Sequence, residues 1–417
     1  MKKILTILLS LMLSLCFAFG VSACNNTGDD GEEQQEVFKV GIICSGSEDD
    51  FYDFEFIDAF KKVCIQQNVE YVVKTNISET RYSYIVASDL VNAGCDLIFA
   101  NSPGFEDYMW ELAGEKKEVQ FCQASGIKDY VNKYTGEKRH NFHNVYLSVY
   151  QTKYLAGYAS GLKLNEMKDK AVDNEFLVGY VAPFTNSEYI SSYTAWFLGL
   201  KSALDKDYTA KMQVYFTGDL HNEYYEETAV ETLLENKCVL IGSDTQSFTV
   251  SNLCEENGIP HTGVNGDAMA DCPNTLILAT KTDWKPYFEY IITKTKNSLD
   301  FASDWFGEVG ESIYDGTSFV TEIGDCAVQG TEEKLNTVFQ ELVSGARKVF
   351  PITAFTEDGK QKEEDLKLDL NDDDDADTIV VMQDYGSGEY YFAECEHRSY
   401  PYFTIEIDDI ELINRIA

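Results

Sequence analysis

The chain has 417 residues and only five histidines: His140, His143, His221, His261 and His397. Acid–base catalysis at neutral pH draws on histidine more than on any other side chain, so catalytic groups are scarce. His140 and His143 lie three apart beside Lys138 and Arg139, without the glutamate that a zinc-peptidase helix places between its ligands. The chain has no Gly-x-Ser-x-Gly elbow to activate a serine and no Gly-x4-Gly-Lys-Ser/Thr loop to cradle phosphates. Asp369, Asn371, Asp373 and Asp375 alternate as calcium ligands do, but Asp374 stands where such a loop needs glycine and Val380 where it needs glutamate. That run reads as a hydrated loop. The sequence therefore argues against an enzyme and calls for no metal and no cofactor.

The residues suited to binding follow apolar runs. Ser45 to Asp53 follow the first, Asn101 to Gly104 the third and Gln123 to Ser125 the fourth. Further along come Gly242 to Thr245, Gly263 to Asp267 and Thr280 to Asp283. Carboxylates there accept hydrogen bonds from hydroxyls, aromatic rings stack on planar groups, and a lysine offers three donors. The same residue types also make turns and helix caps, and spacing alone leaves both readings open.

The elements that would position these residues alternate. Apolar runs at 38–44, 69–73, 96–100 and 118–122 predict strands, and the helical spacing at 56–64, 82–93 and 105–114 falls between them. The pattern restarts with strands predicted at 145–149, 175–181, 212–216, 239–242, 261–264 and 276–279. Helices at 151–164, 187–204, 224–235, 249–257 and 284–298 separate them. Alternation of this kind predicts βαβ units and parallel sheets, hence an α/β chain of two doubly wound, Rossmann-like lobes. Ligands bind such sheets outside the carboxyl ends of the strands. The lobes are expected at 37–145 with 275–300, and at 146–274 with 301–357. Residues 358–417 are expected to form an acidic loop, containing Asp372 to Asp375, and a small β appendage.

The N-terminus sets an expectation about location. Met1-Lys2-Lys3, an apolar run from Ile4 to about Gly20 and the small residues before Cys24 have the composition of a signal peptide, residues 1–23. Val21-Ser22-Ala23-Cys24 resembles a bacterial lipobox, which implies cleavage before Cys24 and lipidation of it. Residues 24–36 then form an acidic linker, and no later stretch is apolar for long enough to span a bilayer. A formal net charge of −38 repels phosphate backbones and excludes nucleic acid as an expected partner. Of eleven cysteines, nine lie beyond Cys24, and none forms a Cys-x-x-Cys pair. Most are expected to be free, buried thiols.

An ordered series of segments carries a resemblance. Asp96-Leu97-Ile98-Phe99-Ala100-Asn101-Ser102, Tyr154-Leu155-Ala156-Gly157, Val178 to Phe184, Ala195-Trp196-Phe197-Leu198-Gly199 and Thr262 to Met269 are similar to the basic membrane protein family. These are substrate-binding lipoproteins that include purine nucleoside receptors of ABC transporters. The likeness covers residues of about 38 to 355. It implies a type I periplasmic-binding-protein fold with a hinge between two lobes, a ligand held in the cleft, delivery to an ABC permease, and attachment to the outer face of the cell membrane through lipid on Cys24. By position it implies Asp50 in the first loop, Asn101 and Ser102 at a turn facing a base, Asp244 toward a ribose, and Lys281 in the cleft. Phe51, Tyr52 and Trp196 are candidates to stack on the base, and Gln123 and Asp267 complete the expected set. Two positions depart from the family pattern: the first loop reads Gly46-Ser47-Glu48-Asp49-Asp50-Phe51-Tyr52-Asp53, and Gln123 stands where many relatives carry aspartate. A purine nucleoside is the expected ligand. A sugar or other small metabolite on the same fold, or a ligand-sensing surface receptor, are the alternatives.

Overall fold

In a computed structural model, the structure describes residues 37–264, 268–307, 310–357, 359–361, 382–384, 390–397, 399, 403, 405 and 407–414. The expected signal segment with Cys24, the linker to residue 36, Asp267 and the acidic run through Asp375 lie outside the described residues.

Two sheets organise the chain. The first contains β1 (Lys39–Ile43), β2 (Glu70–Lys74), β3 (Leu97–Ala100), β4 (Gln120–Ala124), β5 (Phe142–Tyr146) and β11 (Asp304–Phe306). Their spatial order is β11-β5-β4-β3-β1-β2, and all pairs are parallel. Every side chain of β3 is buried, as expected for a strand covered on both faces. Helices α1 (Phe51–Gln67), α2 (Arg81–Asn92), α3 (Glu106–Glu115) and α4 (Lys128–Thr135) join the first five strands.

The second sheet contains β6 (Glu175–Ala182), β7 (Thr209–Phe216), β8 (Ile241–Ser243), β9 (His261–Val264), β10 (Leu276–Thr282), β12 (Ser318–Val320) and β13 (Ile410–Leu412). The order is β12-β10-β9-β8-β6-β7-β13. Only β12 runs antiparallel to its neighbour. Helices α5 (Val149–Glu166), α6 (Ser187–Ala203), α7 (Glu223–Glu235), α8 (Thr249–Asn257) and α10 (Thr331–Val343) belong here, whereas α9 (Lys285–Lys296) returns to the first lobe.

The crossing of α5 and α6 explains two of the sequence motifs. A Cβ at Gly157 would stand 1.7 Å from the Trp196 carbonyl oxygen, and one at Gly199 would stand 2.0 Å from that of Tyr154. Each glycine lets the other helix's backbone come closer than any side chain allows. Tyr-Leu-Ala-Gly and Trp-Phe-Leu-Gly are thus the two halves of one helix contact.

The lobes differ from expectation in three places. Residues 276–282 were expected in the first lobe, but β10 pairs with β9 and β12 in the second sheet. Residues 304–306, expected in the second lobe, extend the first sheet beside β5. The C-terminal segment is not a separate appendage where it is described. Residues 382–384 and 390–392 do pair as antiparallel strands, but Phe392, Phe403, Ile405 and Ile407 are buried in the second lobe's core. β13 then adds a parallel edge strand beside β7. Alternation of strand and helix gives the order of elements along the chain but not the sheet each strand joins. The nine cysteines from Cys44 to Cys395 are all free thiols, and every one except Cys395 is buried.

Candidate functional site

The carboxyl ends of β4 and β5 in the first sheet and of β8, β9 and β10 in the second meet at one cleft, a cavity of about 160 Å³. The first lobe contributes Tyr52 and Glu55 from α1, Ser125 after β4, Tyr146 at the end of β5 and Leu147 after it, and Trp284 before α9. The second contributes Lys153 from α5, Glu188, Tyr189 and Ser192 from α6, and Asp244 and Gln246 after β8. Thr280, Lys281 and Thr282 come from β10, and Ser318 from β12.

Asp244 and Lys153 form an ion pair whose side chains are only 6% and 7% exposed. Lys153 Nζ also lies 3.5 Å from the Ser243 carbonyl oxygen. Across the cleft, Lys281 Nζ meets Glu55 of the other lobe at 3.6 Å. Burial raises the Glu55 pKa, and the Lys281 charge works against that shift. The rings of Phe51 and Phe248 add a second contact between the lobes, edge to face at 5.3 Å.

The start of α6 forms one cleft wall. The Asn186 side chain caps this helix by accepting hydrogen bonds from the backbone N–H groups of Glu188 at 3.1 Å and Tyr189 at 3.3 Å. That cap fixes the first turn and so the direction of both side chains. Burial first, and then the Asp244 carboxylate, push the Glu188 pKa up to about 7. A helix N-terminus favours a carboxylate by only about 0.3–1 kcal/mol, too little to reverse a shift of that size. The phenols of Tyr52 and Tyr189 are held well above their ordinary pKa, by burial and then by Glu188. Both therefore remain hydrogen-bond donors at neutral pH.

The expected site residues fall into two groups. Tyr52, Asp244 and Lys281 line the cleft. The others among the described residues support it or stand apart. Asn101 is fully buried; its side chain donates to Asp53 at 2.8 Å and accepts from the Ser45 N–H at 3.1 Å. Its carbonyl accepts from the Tyr52 hydroxyl at 2.8 Å, so Asn101 positions a cleft residue. Asp53 also accepts from the Gly46 N–H at 2.8 Å, and burial raises its pKa. Asp50 accepts from the Ser47 N–H at 2.9 Å within the exposed first loop. Ser102 donates to Glu79, and Gln123 donates to the Ser102 and Ala124 carbonyls. Trp196 is 1% exposed and donates to Thr262 Oγ1 at 2.8 Å in the core. It is not a wall of the cleft, because the α5–α6 contact turns its face of the helix inward. Asp267 lies outside the described residues.

Sequence reasoning missed Lys153, Glu188, Tyr189 and Gln246. Glu188 and Tyr189 did carry a signal: Asn186 is a helix cap directly after a strand, at the end of the sheet where ligands bind. Lys153 gave none, since one lysine on a long helix reads as a solvated residue.

Two doubly wound lobes around a polar cleft define the type I periplasmic-binding fold. Residues 38–309 match the family described as "Bmp: ABC transporter substrate-binding protein PnrA-like", and the chain belongs to that family. It is 24% identical over 270 residues to a purine-binding protein of Brucella abortus, covering 64% of this chain and 70% of that one. It is 23% identical over 269 residues to a putative ABC transporter glucose-binding protein of Haloferax volcanii, covering 62% of this chain and 63% of that one. Among solved structures, a solute-binding protein of an ABC transporter system from Conexibacter woesei superposes with a TM-score of 0.58 at 16% identity. That match covers 75% of this chain and 98% of that one. It bears on the fold alone.

Proposed function

We propose that this substrate-binding protein captures a purine nucleoside between its lobes, outside the cytoplasm, and hands it to an ABC permease. The observation that carries the reading is the cleft's composition. Tyr52 and Trp284 from one lobe and Tyr189 from the other supply aromatic surface, beside the polar groups of Asp244, Lys153, Gln246 and Ser125. A base needs flat apolar contact with hydrogen bonds at its edge, and a ribose needs carboxylate and amide partners for its hydroxyls. The likeness to a protein named as purine-binding supports the same class. Lipid on Cys24 would hold the protein at the membrane, where a single acyl chain binds only marginally and stable anchoring needs a second. Mass spectrometry of membrane-expressed protein, cut before Cys24 and carrying acyl mass, tests that part.

A sugar is the second reading, supported by the relative named as glucose-binding and by the cleft's hydroxyl-rich wall of Thr280, Thr282 and Ser318. A thermal-shift panel of guanosine, inosine, adenosine, pyrimidine nucleosides, free bases, ribose and glucose separates the two. Ligand at a hundred times its Kd adds about 2.7 kcal/mol. Stabilisation by purine nucleosides but not by ribose or glucose is expected. Stabilisation by a sugar alone would replace the nucleoside reading.

A further inference from the structure

The cleft contains five carboxylate and ammonium side chains, and four of them are already matched. Lys153 pairs with Asp244, and Lys281 with Glu55. Glu188 is the fifth, and no cation pairs with it among the described residues. Asp244 after β8, with Lys153 of α5 engaged on that carboxylate, Tyr52 of α1 and Tyr189 of its own helix all interact electrostatically with Glu188, and Glu55 of α1 and Lys281 of β10 line the same cleft. Behind α6, the C-terminal segment adds another carboxyl, Glu394, which is 1% exposed and interacts electrostatically with Glu188. Ser399 of the same segment fixes it against α6 through a hydroxyl–hydroxyl bond to Ser191 at 2.8 Å. Glu394 and Ser399 lie beyond residues 38–309, the part that matches the family.

We propose that Glu188 is a specificity-determining residue that binds the ligand as a neutral carboxylic acid. An uncharged nucleoside filling this cleft expels water and leaves two ion pairs and Glu188. An ionised Glu188 would then be an unmatched charge in a dry site beside a second carboxylate, an arrangement that strongly favours protonation. A protonated carboxyl presents one donor beside one acceptor. Its complement is a ring edge that carries an acceptor beside a donor, such as the N1–H and O6 of guanine or the N6 amine and ring nitrogen of adenine. Burial and Asp244 already place the titration of Glu188 near neutrality, so binding takes up a proton at pH 7 and above. This inference rests on the nucleoside reading and adds to it the edge that is recognised and the proton that accompanies it.

The test is titration calorimetry of the full chain with guanosine and adenosine from pH 6 to pH 8, for wild type, Glu188→Gln and Glu188→Ala. Wild-type affinity is expected to fall about tenfold across that range, as for a carboxyl that titrates near neutrality in the free protein and stays protonated with ligand bound. Glu188→Gln keeps a donor beside an acceptor without the proton. It should bind within about threefold of wild type at pH 6 and show no slope, whereas Glu188→Ala should lose about tenfold or more. Wild-type affinity that is flat or rises with pH would overturn the assignment without needing any variant. So would Glu188→Gln keeping the wild-type slope or losing affinity as Glu188→Ala does. Wild type binding neither nucleoside at any pH would overturn the proposed function, and this inference with it.

Discussion

Asp244 shows how one residue can belong to both the binding site and the fold. Its carboxylate faces the cleft and also holds Lys153, whose side chain is 7% exposed. Removing one partner of a buried pair strands the other charge and costs about 3–5 kcal/mol. Asp244→Ala should therefore lower stability by that amount as well as weaken binding, and Lys153→Met combined with Asp244→Leu should recover much of the loss. Urea unfolding without ligand is the check; an Asp244→Ala midpoint equal to wild type would show that Lys153 finds another partner. Lys281 provides the contrast. Its side chain is 38% exposed and that of its partner Glu55 24%, so Lys281→Ala should cost less than about 1 kcal/mol. Residue type after a strand left Tyr52, Asp244 and Lys281 open between binding and turn or cap roles, and it was the family resemblance that singled them out. Residue type could not separate Trp196 from a stacking ring. A tryptophan on an apolar helix has the same composition whether its ring faces a ligand or the Thr262 hydroxyl, and only the α5–α6 crossing decides which.

At the scale of elements, that crossing is the most sensitive joint in the second lobe. Gly157→Ala places a methyl group 1.7 Å from a backbone oxygen, and neither α5 nor α6 can yield without moving Tyr154 or Trp196. Overpacking costs about 1–3 kcal/mol where side chains can shift, and backbone cannot shift as they do, so the loss should be at the top of that range or beyond. Gly258 ends α8 with a φ of +66° and has open space at its Cβ position. Gly258→Ala should cost only the smaller conformational term, about 1 kcal/mol. Thermal unfolding of the two variants ranks them, and equal losses would contradict the packing argument. The C-terminal segment sets a pH dependence of its own. Burial pushes the Glu394 pKa up to about 8 from an ordinary value of 4.5, so the folded state holds the proton more tightly than the unfolded chain. Its contribution is fully present at pH 4 and is lost as pH rises through about 8. Glu394→Gln should thus leave stability at pH 4.5 unchanged and raise it at pH 8.5 by on the order of a few kcal/mol. The same gain at both pH values would remove ionisation as the cause.

At the scale of the whole molecule, most of the individual elements were legible but their assembly was not. The long helices and buried strands announce themselves by period and length. The three-residue strands β11, β12 and β13 are too short to carry a period, and each of them is what ties a late part of the chain into a sheet. The acidic composition from residue 357 onward suggested an appendage, yet the segment beyond it has a structural role in both lobes. Its His397 lies 3.0 Å from the Tyr130 hydroxyl of α4, while Phe392, Phe403, Ile405 and Ile407 fill the second lobe's core. β13 meanwhile pairs with Met212, Gln213 and Val214 along β7. A buried side chain of this size contributes about 1.5–3 kcal/mol, so the four together rival the roughly 5–15 kcal/mol that holds a typical domain folded. A chain ended after Glu357 should therefore fail to fold, although it retains the whole of residues 38–309 that match the family. Circular dichroism and urea unfolding of the truncated chain are the measurements. A cooperative transition at the wild-type midpoint would return residues 358–417 to the status of an appendage. Loss of that transition, with the Phe403→Ala variant of the full chain lying between the two, would establish that this member of the family completes its second lobe with residues the family match does not include.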